Sequence, residues 1–499
     1  MNRKKLQISL RWFVLSLALW PLACEDFLEK TPQGNLTQGS FPVSAEDALL
    51  ATNAAYNTLR DPNFNTGLFP ILDIMSDDAN KGSNPSDQQS TIGPFDNFKH
   101  IKTEGALLRW WNTMYKAVRV ANVVIEKVPD IQMDENLKNR YVAEAKFLRA
   151  FFYFDLVRAW GGVPKQTATT PQTLPRSSKD EIYDFIIQDL EDAINDLPEK
   201  SQYDKVSDKG RATRGAAKAL LAKVYLYRND FQKAATYALE VINSGEYNLE
   251  QDFDDVHGVD GELGVESVFE VASFGQEGVE SGGNQYANVQ AVRGTPNRGW
   301  GFNRPTKSLR DAFEPGDPRL ESTVIFLGEV LDGVTILGDG STPDASVDAH
   351  GQAEIECYNQ KVWTPGNTVP PSFNHNRRFI RFADVLLIAA EALNENGDAA
   401  GALTHLNRVR RRAREGNNNI LKDVTVTDKT ALRTIILKER RVELALEDNR
   451  FWDLVRTNQA AAILGPLGFV TGKHELLPIP QTEIDITQGA LEQNPGWQN

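Results

Sequence analysis

Apolar residues recur at helical spacing in several separated stretches of this 499-residue chain. Ser44, just before Ala45-Glu46-Asp47, supplies an N-cap, and Ala48, Ala51, Ala55 and Leu59 then share one face, so a helix is predicted from residue 45. A second helix is predicted from Leu107 to Val128, with Trp111, Met114, Tyr115, Val118, Ala121 and Ile125 on its apolar side and Pro129 ending it. From Tyr141 to Trp160 one stripe holds Ala145, Leu148, Phe152, Leu156 and Ala159, and another holds Phe147, Phe151 and Phe154. A helix apolar on more than one face is expected to be buried between neighbours. Gly161-Gly162 stops it, and a further amphipathic helix follows from Asp180 to Leu197, ended by Pro198.

Two distant segments resemble one another. Ala216 to Tyr225 runs through Asn229-Asp230 into Phe231-Gln232-Lys233-Ala234-Ala235, and Phe382 to Ala392 runs through Gly397-Asp398 into Ala399-Ala400-Gly401-Ala402-Leu403. Both read as helix, tight turn, helix. Small alanines at the crossing and an aspartate in the turn resemble a tetratricopeptide hairpin, whose repeat is about 34 residues. Pairing the helices that begin near Ala45 and Leu107, Tyr141 and Asp180, Ala216 and Phe231, and Phe382 and Ala399 gives four imperfect repeats.

Between Tyr247 and Asn376 the helical period disappears and Gly, Asn, Asp and aromatic residues become frequent. Short β-like runs occur at Val268 to Val271 and Val324 to Phe326. The expected fold is therefore mainly α, a tetratricopeptide-like scaffold of about four helix pairs carrying a large, irregular, loop-rich insertion with short strands. Compact domains rarely hold so much irregular chain without using it, which makes the insertion the expected binding surface. The expected division is a leader over 1–23, a tether over 24–43, helical repeats over 44–250, the insertion over 251–376 and a C-terminal helical segment over 377–499.

The N-terminus alters the cellular picture. Met1-Asn2-Arg3-Lys4-Lys5 is a basic opening, and Trp12 to Leu22 is apolar but too short for an ordinary membrane-spanning helix, as in a signal peptide. Pro21-Leu22-Ala23-Cys24 resembles a bacterial lipoprotein cleavage site, with Pro21 and Leu22 where a leucine and a small residue are usual. Cys24 would then be the first mature residue and carry lipid. The chain has two cysteines, so this leaves Cys357 unpaired. Glu25-Asp26 resembles a signal for display on the outer face of the outer membrane. The net charge of −14 works against nucleic acid as a partner and against a polyanionic ligand.

Enzyme signatures are missing. His474-Glu475-Leu476-Leu477-Pro478 opens like the helical zinc motif but has proline where the second histidine must stand. No nucleophile elbow or phosphate-binding loop occurs. No cofactor is expected. Asp252-Phe253-Asp254-Asp255 with Asp260 and Glu262 offers carboxylates for a structural calcium ion but lacks the spacing of a calcium loop, so a solvated turn is the expected role. A glycosidase needs only two suitably spaced carboxylates, so an extracellular hydrolase stays open as an alternative.

A sugar site needs exposed rings for the C–H faces of pyranoses, with amide, carboxylate and guanidinium groups for the hydroxyls. One region offering that mixture holds Asp77, Asp78, Asn80, Phe95, Asp96, Asn97 and Phe98. The other holds Asn284, Gln285, Tyr286, Arg293, Asn297 and Trp300. Tyr286, in a Gly-rich polar loop, is the preferred exposed aromatic. Trp300 serves equally as core or as platform, and Trp110 and Trp111, on a helix, are expected to pack.

Several segments, taken together, resemble the SusD/RagB family of outer-membrane nutrient-binding lipoproteins. They are Cys24 to Glu29 with Pro32, Ala143 to Ala150 leading to Trp160-Gly161-Gly162-Val163-Pro164, Trp300 to Thr306, and Ala312 to Arg319. They continue with Arg381 to Leu387, Glu439 to Ala445 with Arg450 to Leu454, Leu477-Pro478-Ile479-Pro480 and Gln493 to Trp497. The resemblance implies a non-catalytic, lipid-anchored protein at the cell surface. It would bind an extracellular oligosaccharide and act as a lid on a SusC-like, TonB-dependent outer-membrane transporter. Ligand contacts would be divided between the loop after the first helix and the insertion. The RagB branch implies a peptide ligand as the alternative. Charged residues of the Glu439 to Asp453 stretch, Arg440, Glu443 and Arg450 among them, are expected to be paired and structural rather than catalytic.

Overall fold

A computed structural model of the chain describes residues 41–273, 285–340, 354–365 and 374–498, and for 65–70 the backbone alone. The expected leader, nearly all of the tether, Cys24 and Asn284 lie outside the described residues. The main helices are α1 (Ala45–Asn57), α2 (Pro62–Ile74), α3 (Gly105–Lys127), α4 (Glu135–Trp160), α5 (Lys179–Asp196), α6 (Arg214–Tyr227), α7 (Phe231–Asn243), α8 (Phe382–Glu395), α9 (Ala399–Ala413) and α10 (Lys429–Glu443). Short antiparallel strands pair two by two: β1 (Ala79–Gly82) with β3 (Phe302–Pro305), β2 (Ser267–Val271) with β8 (Arg377–Arg381), β4 (Val324–Phe326) with β7 (Cys357–Asn359), and β5 (Val330–Leu331) with β6 (Val334–Thr335).

The four helix pairs read from the sequence are present: α1 packs on α3, α4 on α5, α6 on α7 and α8 on α9. Local chemistry sets the ends. Ser44 and Asp47 form a reciprocal capping box on α1, at 3.1 Å in each direction. The aspartates of the two similar turns cap the second helix of their hairpins, Asp230 accepting from the Lys233 amide at 3.1 Å and Asp398 from the Gly401 amide at 2.8 Å. Ala216, Ala217, Ala219 and Ala222 of α6 and Ala383, Ala389, Ala390 and Ala392 of α8 are buried, which lets the helices cross closely. Phe147, Phe151, Phe152 and Phe154 are buried around α4, each contributing about 1.5–3 kcal/mol through removal from water. Trp110 and Trp111 are buried against Trp160, as their helical position led one to expect.

Helix α7 packs directly on α8 although the insertion separates them in sequence. Pairing of β2 with β8 brings the entry and exit of the insertion together, so the third and fourth helix pairs stack as though continuous. Helix α2 was not anticipated. Asp61 caps it and Pro62 opens it, but Gly67 and Pro70 inside the segment break its apparent period.

A buried ionic network fastens the insertion to the scaffold. Arg319, fully buried, donates to Glu439 at 2.7 Å and Glu443 at 3.0 Å from α10, and to its neighbour Asp317 at 2.8 Å. Arg440 pairs with Asp384 at 2.8 Å and Asp453 at 3.2 Å, and Lys223 with Asp384 at 3.0 Å. Burial alone would raise the Glu443 carboxyl, but the guanidiniums of Arg412, Arg381 and Arg319 hold it at about 2. Arg440 and Glu443 are thus structural.

Candidate functional site

The two regions that the sequence marked separately are hydrogen-bonded to each other. In the β1–β3 ladder Asn80 lies opposite Arg304 and Gly82 opposite Phe302. Beyond the ladder the Ser83 amide donates to the Gly301 carbonyl at 2.6 Å. Gly82 has φ +65°, and a Cβ there would lie 2.5 Å from the Gly301 oxygen, so the close approach of the two segments needs glycine.

Lys81 shapes the next loop. Its ammonium donates to the carbonyls of Gly82, Asn84 and Asp87 at 2.8, 3.0 and 2.9 Å, folding the chain from Gly82 to Asp87 around one cation. The Lys81 amide donates to both oxygens of Asp96 at 3.0 Å. Burial pushes the Asp96 carboxyl up to about 7 despite that amide and the nearby ammonium.

Arg293 crosses from the insertion to this loop. It donates to the Ser83 hydroxyl at 3.0 Å, pairs with Asp87, and pairs through Nε with Asp339 at 2.7 Å. Burial tends to raise Asp87, but the Ser83 hydroxyl and Arg293 outweigh it and hold the carboxyl below its usual range.

Trp300 stands beside this cluster on a loop with a fixed backbone. Its amide donates to the Asn288 carbonyl at 2.9 Å and the Gly301 amide to the Ala291 carbonyl at 3.0 Å. Trp300 remains 38% exposed. The loop that carries the exposed Trp300 and Asn297 thus meets the half-buried Asp87, Arg293 and Asp339 and the buried Ser83 at Gly301, where the Ser83 amide bonds the backbone and an added Cβ would lie 3.1 Å from that of Arg293. Such a surface can stack a sugar ring and hydrogen-bond its hydroxyls.

Several expected ligand contacts are buried instead. Asp77 accepts from Arg450 at 2.7 Å and from Arg441 at 2.9 Å, and Asp78 accepts from Arg441 at 2.7 Å, so both carboxylates face cations of the C-terminal segment. Phe95 stacks on His100 with centroids 4.7 Å apart, and Phe98 meets Phe469 edge-on at 5.4 Å, both inside the core. Tyr286, expected to be the exposed aromatic, is 7% exposed, stacked on His375 and covered by Arg377. Trp300 takes the exposed role. The Gly-rich run before Tyr286 concealed a short helix, Tyr286–Gln290, whose every residue is buried.

Asn80, Asn97 and Gln285 are half-buried. Asn80 accepts from the Gly82 amide at 3.1 Å, the Asn97 side-chain oxygen is shut off from solvent without a partner, and Gln285 precedes the short helix. Lys81, Ser83, Asp87 and Asp339 were missed. The turn signal of Asn84-Pro85 could have found Ser83 and Asp87. Nothing local marks Asp339, whose role comes from tertiary contact with Arg293.

Among the described residues no three His, Cys, Asp or Glu side chains converge on a point where a metal ion could sit. Asp252, Asp254, Asp255 and Asp260 face solvent while Phe253 and Val256 point inward. Glu262 accepts from the Asn376 amide at 2.7 Å, and burial raises its carboxyl to about 7. No helix among the described residues is long and apolar enough to cross a membrane.

Residues 26–226 match a family model described as starch-binding associating with outer membrane, and residues 265–470 match that of the SusD family. SusD-like protein P2 of Formosa agariphila is 31% identical over 527 residues, spanning 99% of this chain and 100% of that protein. This chain belongs to the SusD family. A second SusD-like protein of the same bacterium, P38, is 29% identical and covers 97% of each chain. Among solved SusD-like structures, a laminarin-binding protein superposes with a TM-score of 0.76 at 31% identity, covering 91% of this chain and 100% of its own. Surface glycan-binding protein A from Bacteroides thetaiotaomicron, in complex with laminarihexaose, also gives 0.76, at 25% identity and the same coverage. The tetratricopeptide-like repeats described above are therefore the SusD scaffold, and the family description places such proteins in association with the outer membrane.

Proposed function

We propose that this SusD-family chain captures an extracellular oligosaccharide on the Trp300 face, does not cleave it, and passes it to a SusC-like, TonB-dependent transporter. The observation that carries the reading is Trp300, 38% exposed, on a loop whose next residue, Gly301, is bonded through Ser83 to the Asp87, Arg293 and Asp339 cluster. A flat apolar ring next to immobilised donors and acceptors suits a pyranose, whose C–H face and hydroxyl edge need both at once. A laminarin-type glucan is the first ligand to test, because one structural relative is a laminarin-binding protein and another is in complex with laminarihexaose. The Arg293 guanidinium is already met by Asp87 and Asp339, so no cation of the cluster is left to hold a peptide carboxylate.

In this reading lipid on Cys24 holds the protein at the outer membrane facing outward, and the ligand is enclosed between this chain and the transporter. The test is to incubate purified mature protein with laminarin. The expected result is retention of the polysaccharide with no shorter sugars released, and shorter sugars would convert the reading to a hydrolase. In cells, Cys24→Ser is expected to release the protein from the outer membrane and reduce uptake. Undiminished uptake with the protein free in the medium would remove the lid role.

A further inference from the structure

Beneath the Trp300 loop runs a buried chain of side-chain amides that begins on the helical scaffold. Asp73, near the end of α2, accepts from the Asn303 side-chain nitrogen at 3.0 Å through one oxygen and from the Asp448 amide at 3.2 Å through the other. The same Asn303 nitrogen donates to the Gln290 side-chain oxygen at 2.8 Å, and that oxygen also accepts from the Asn359 side chain at 2.8 Å. Gln290 directs its own nitrogen to the Tyr286 carbonyl at 3.0 Å, and the Asn359 oxygen accepts from the Lys361 amide at 3.0 Å. Asp73, Asn303, Gln290 and Asn359 are all buried.

We propose that Asp73 and Asn303 are positioning residues for glycan capture, setting the direction of an amide relay that holds the Trp300 indole in its ligand-ready place. The proposal rests on the reading of Trp300 as the sugar platform. Asn303 lies three residues after Trp300, and Gln290 lies on the short helix whose Asn288 carbonyl receives the Trp300 amide. The relay therefore links the scaffold to both sides of the Trp300 loop.

The relay has a direction. Asn303 donates from its side-chain nitrogen to both Asp73 and Gln290, while its own oxygen is buried without a partner among the described residues. Turning the amide over would take both donations away and set its oxygen against the Gln290 oxygen. Asp73 is the member that accepts on both oxygens, from the Asn303 amide and the Asp448 backbone N–H, although burial and the neighbouring Asp448 carboxylate push its own carboxyl well above the usual range. An asparagine in its place has nearly the same shape but must aim an N–H at either the Asn303 nitrogen or the Asp448 amide. A buried donor left facing a donor is unfavourable, so the strain is relieved by movement of the strand that bears Asn303. Asn303 itself has φ +56°, a conformation that glycine adopts freely. Asn303→Gly thus removes the amide while keeping the backbone.

The test uses the mature chain labelled with 5-fluorotryptophan, the Trp300 resonance being assigned by its loss in Trp300→Phe. In Asp73→Asn and Asn303→Gly the Trp300 resonance is expected to shift or broaden while those of buried Trp110, Trp160 and Trp452 stay in place. Affinity for laminarihexaose is expected to fall about tenfold or more in both. A Trp300 resonance unmoved in either folded variant would overturn the proposal, as would unchanged laminarihexaose affinity. The fluorine readout needs no ligand. A wild-type protein that ignores laminarihexaose would count against that sugar as the ligand, and the resonances would still judge the relay.

Discussion

The backbone amide of Ser83 donates to the carbonyl of Gly301 at 2.6 Å, joining the loop after α2 to the Trp300 segment more than 200 residues away. That bond exists because Gly82 turns through φ +65° and leaves room for the Gly301 oxygen. Gly82→Ala is expected to cost about 1–2 kcal/mol from the left-handed backbone alone, with more from the 2.5 Å approach of the new Cβ. Denaturant midpoints check the stability. Glycan affinity is expected to drop as well, since the two halves of the surface separate.

Arg319 donates to three carboxylates in a fully buried setting. Removing one member of such a group leaves uncompensated charge, which costs about 3–5 kcal/mol. Arg319→Met is therefore expected to lower the unfolding midpoint sharply. Replacing Glu443 as well is expected to deepen the loss, because that carboxylate also pairs with the buried Arg381 and Arg412.

Acid should loosen the same region. The Glu443 carboxyl, desolvated but surrounded by Arg412, Arg381 and Arg319, sits at about 2, and that of Asp453, desolvated but beside Arg440 and Arg456, also sits at about 2. A carboxyl held below its unfolded value stabilises the fold above that value. The contribution is expected to vanish as pH falls from about 4.5 towards 2. Thermal unfolding across that range should show a steep decline, flattened on its Glu443 component in Glu443→Gln.

Asp96 acts in the opposite sense. Its carboxyl is raised to about 7 by burial, so the folded chain binds its proton more tightly than the unfolded chain does. Stability from this group is expected to fall as pH rises from about 4 to about 7. Asp96→Asn removes that dependence, and comparison of the two proteins at pH 5 and pH 8 should show the variant gaining relative to wild type at the higher pH.

The helical scaffold was legible because alanine-rich crossings, capping aspartates and the Gly161 stop are local signals repeated along the chain. Helix α2 was hidden by Gly67 and Pro70, which read as breakers until tertiary packing overrides them. Charged motifs such as Glu439 to Asp453 were readable as structural, because burying so many charges near Phe451 and Trp452 requires pairing. Ligand residues were harder. Asp77, Asp78 and Tyr286 have the chemistry of a sugar site, and only three-dimensional neighbours, Arg441, Arg450 and Arg377, show that they are spent on the fold. Exposure separates Trp300 from Tyr286, and exposure is a property of the folded surface that neither residue's local sequence reveals.

The most direct test of glycan capture at the Trp300 face is titration calorimetry with laminarihexaose on the wild-type chain and on Trp300→Ala. Loss of a central stacked ring is expected to weaken binding by about 1.4–3 kcal/mol, roughly ten- to hundredfold or more, with circular dichroism at the titration temperature showing that the variant is folded. Equal affinities in the two proteins would contradict the account.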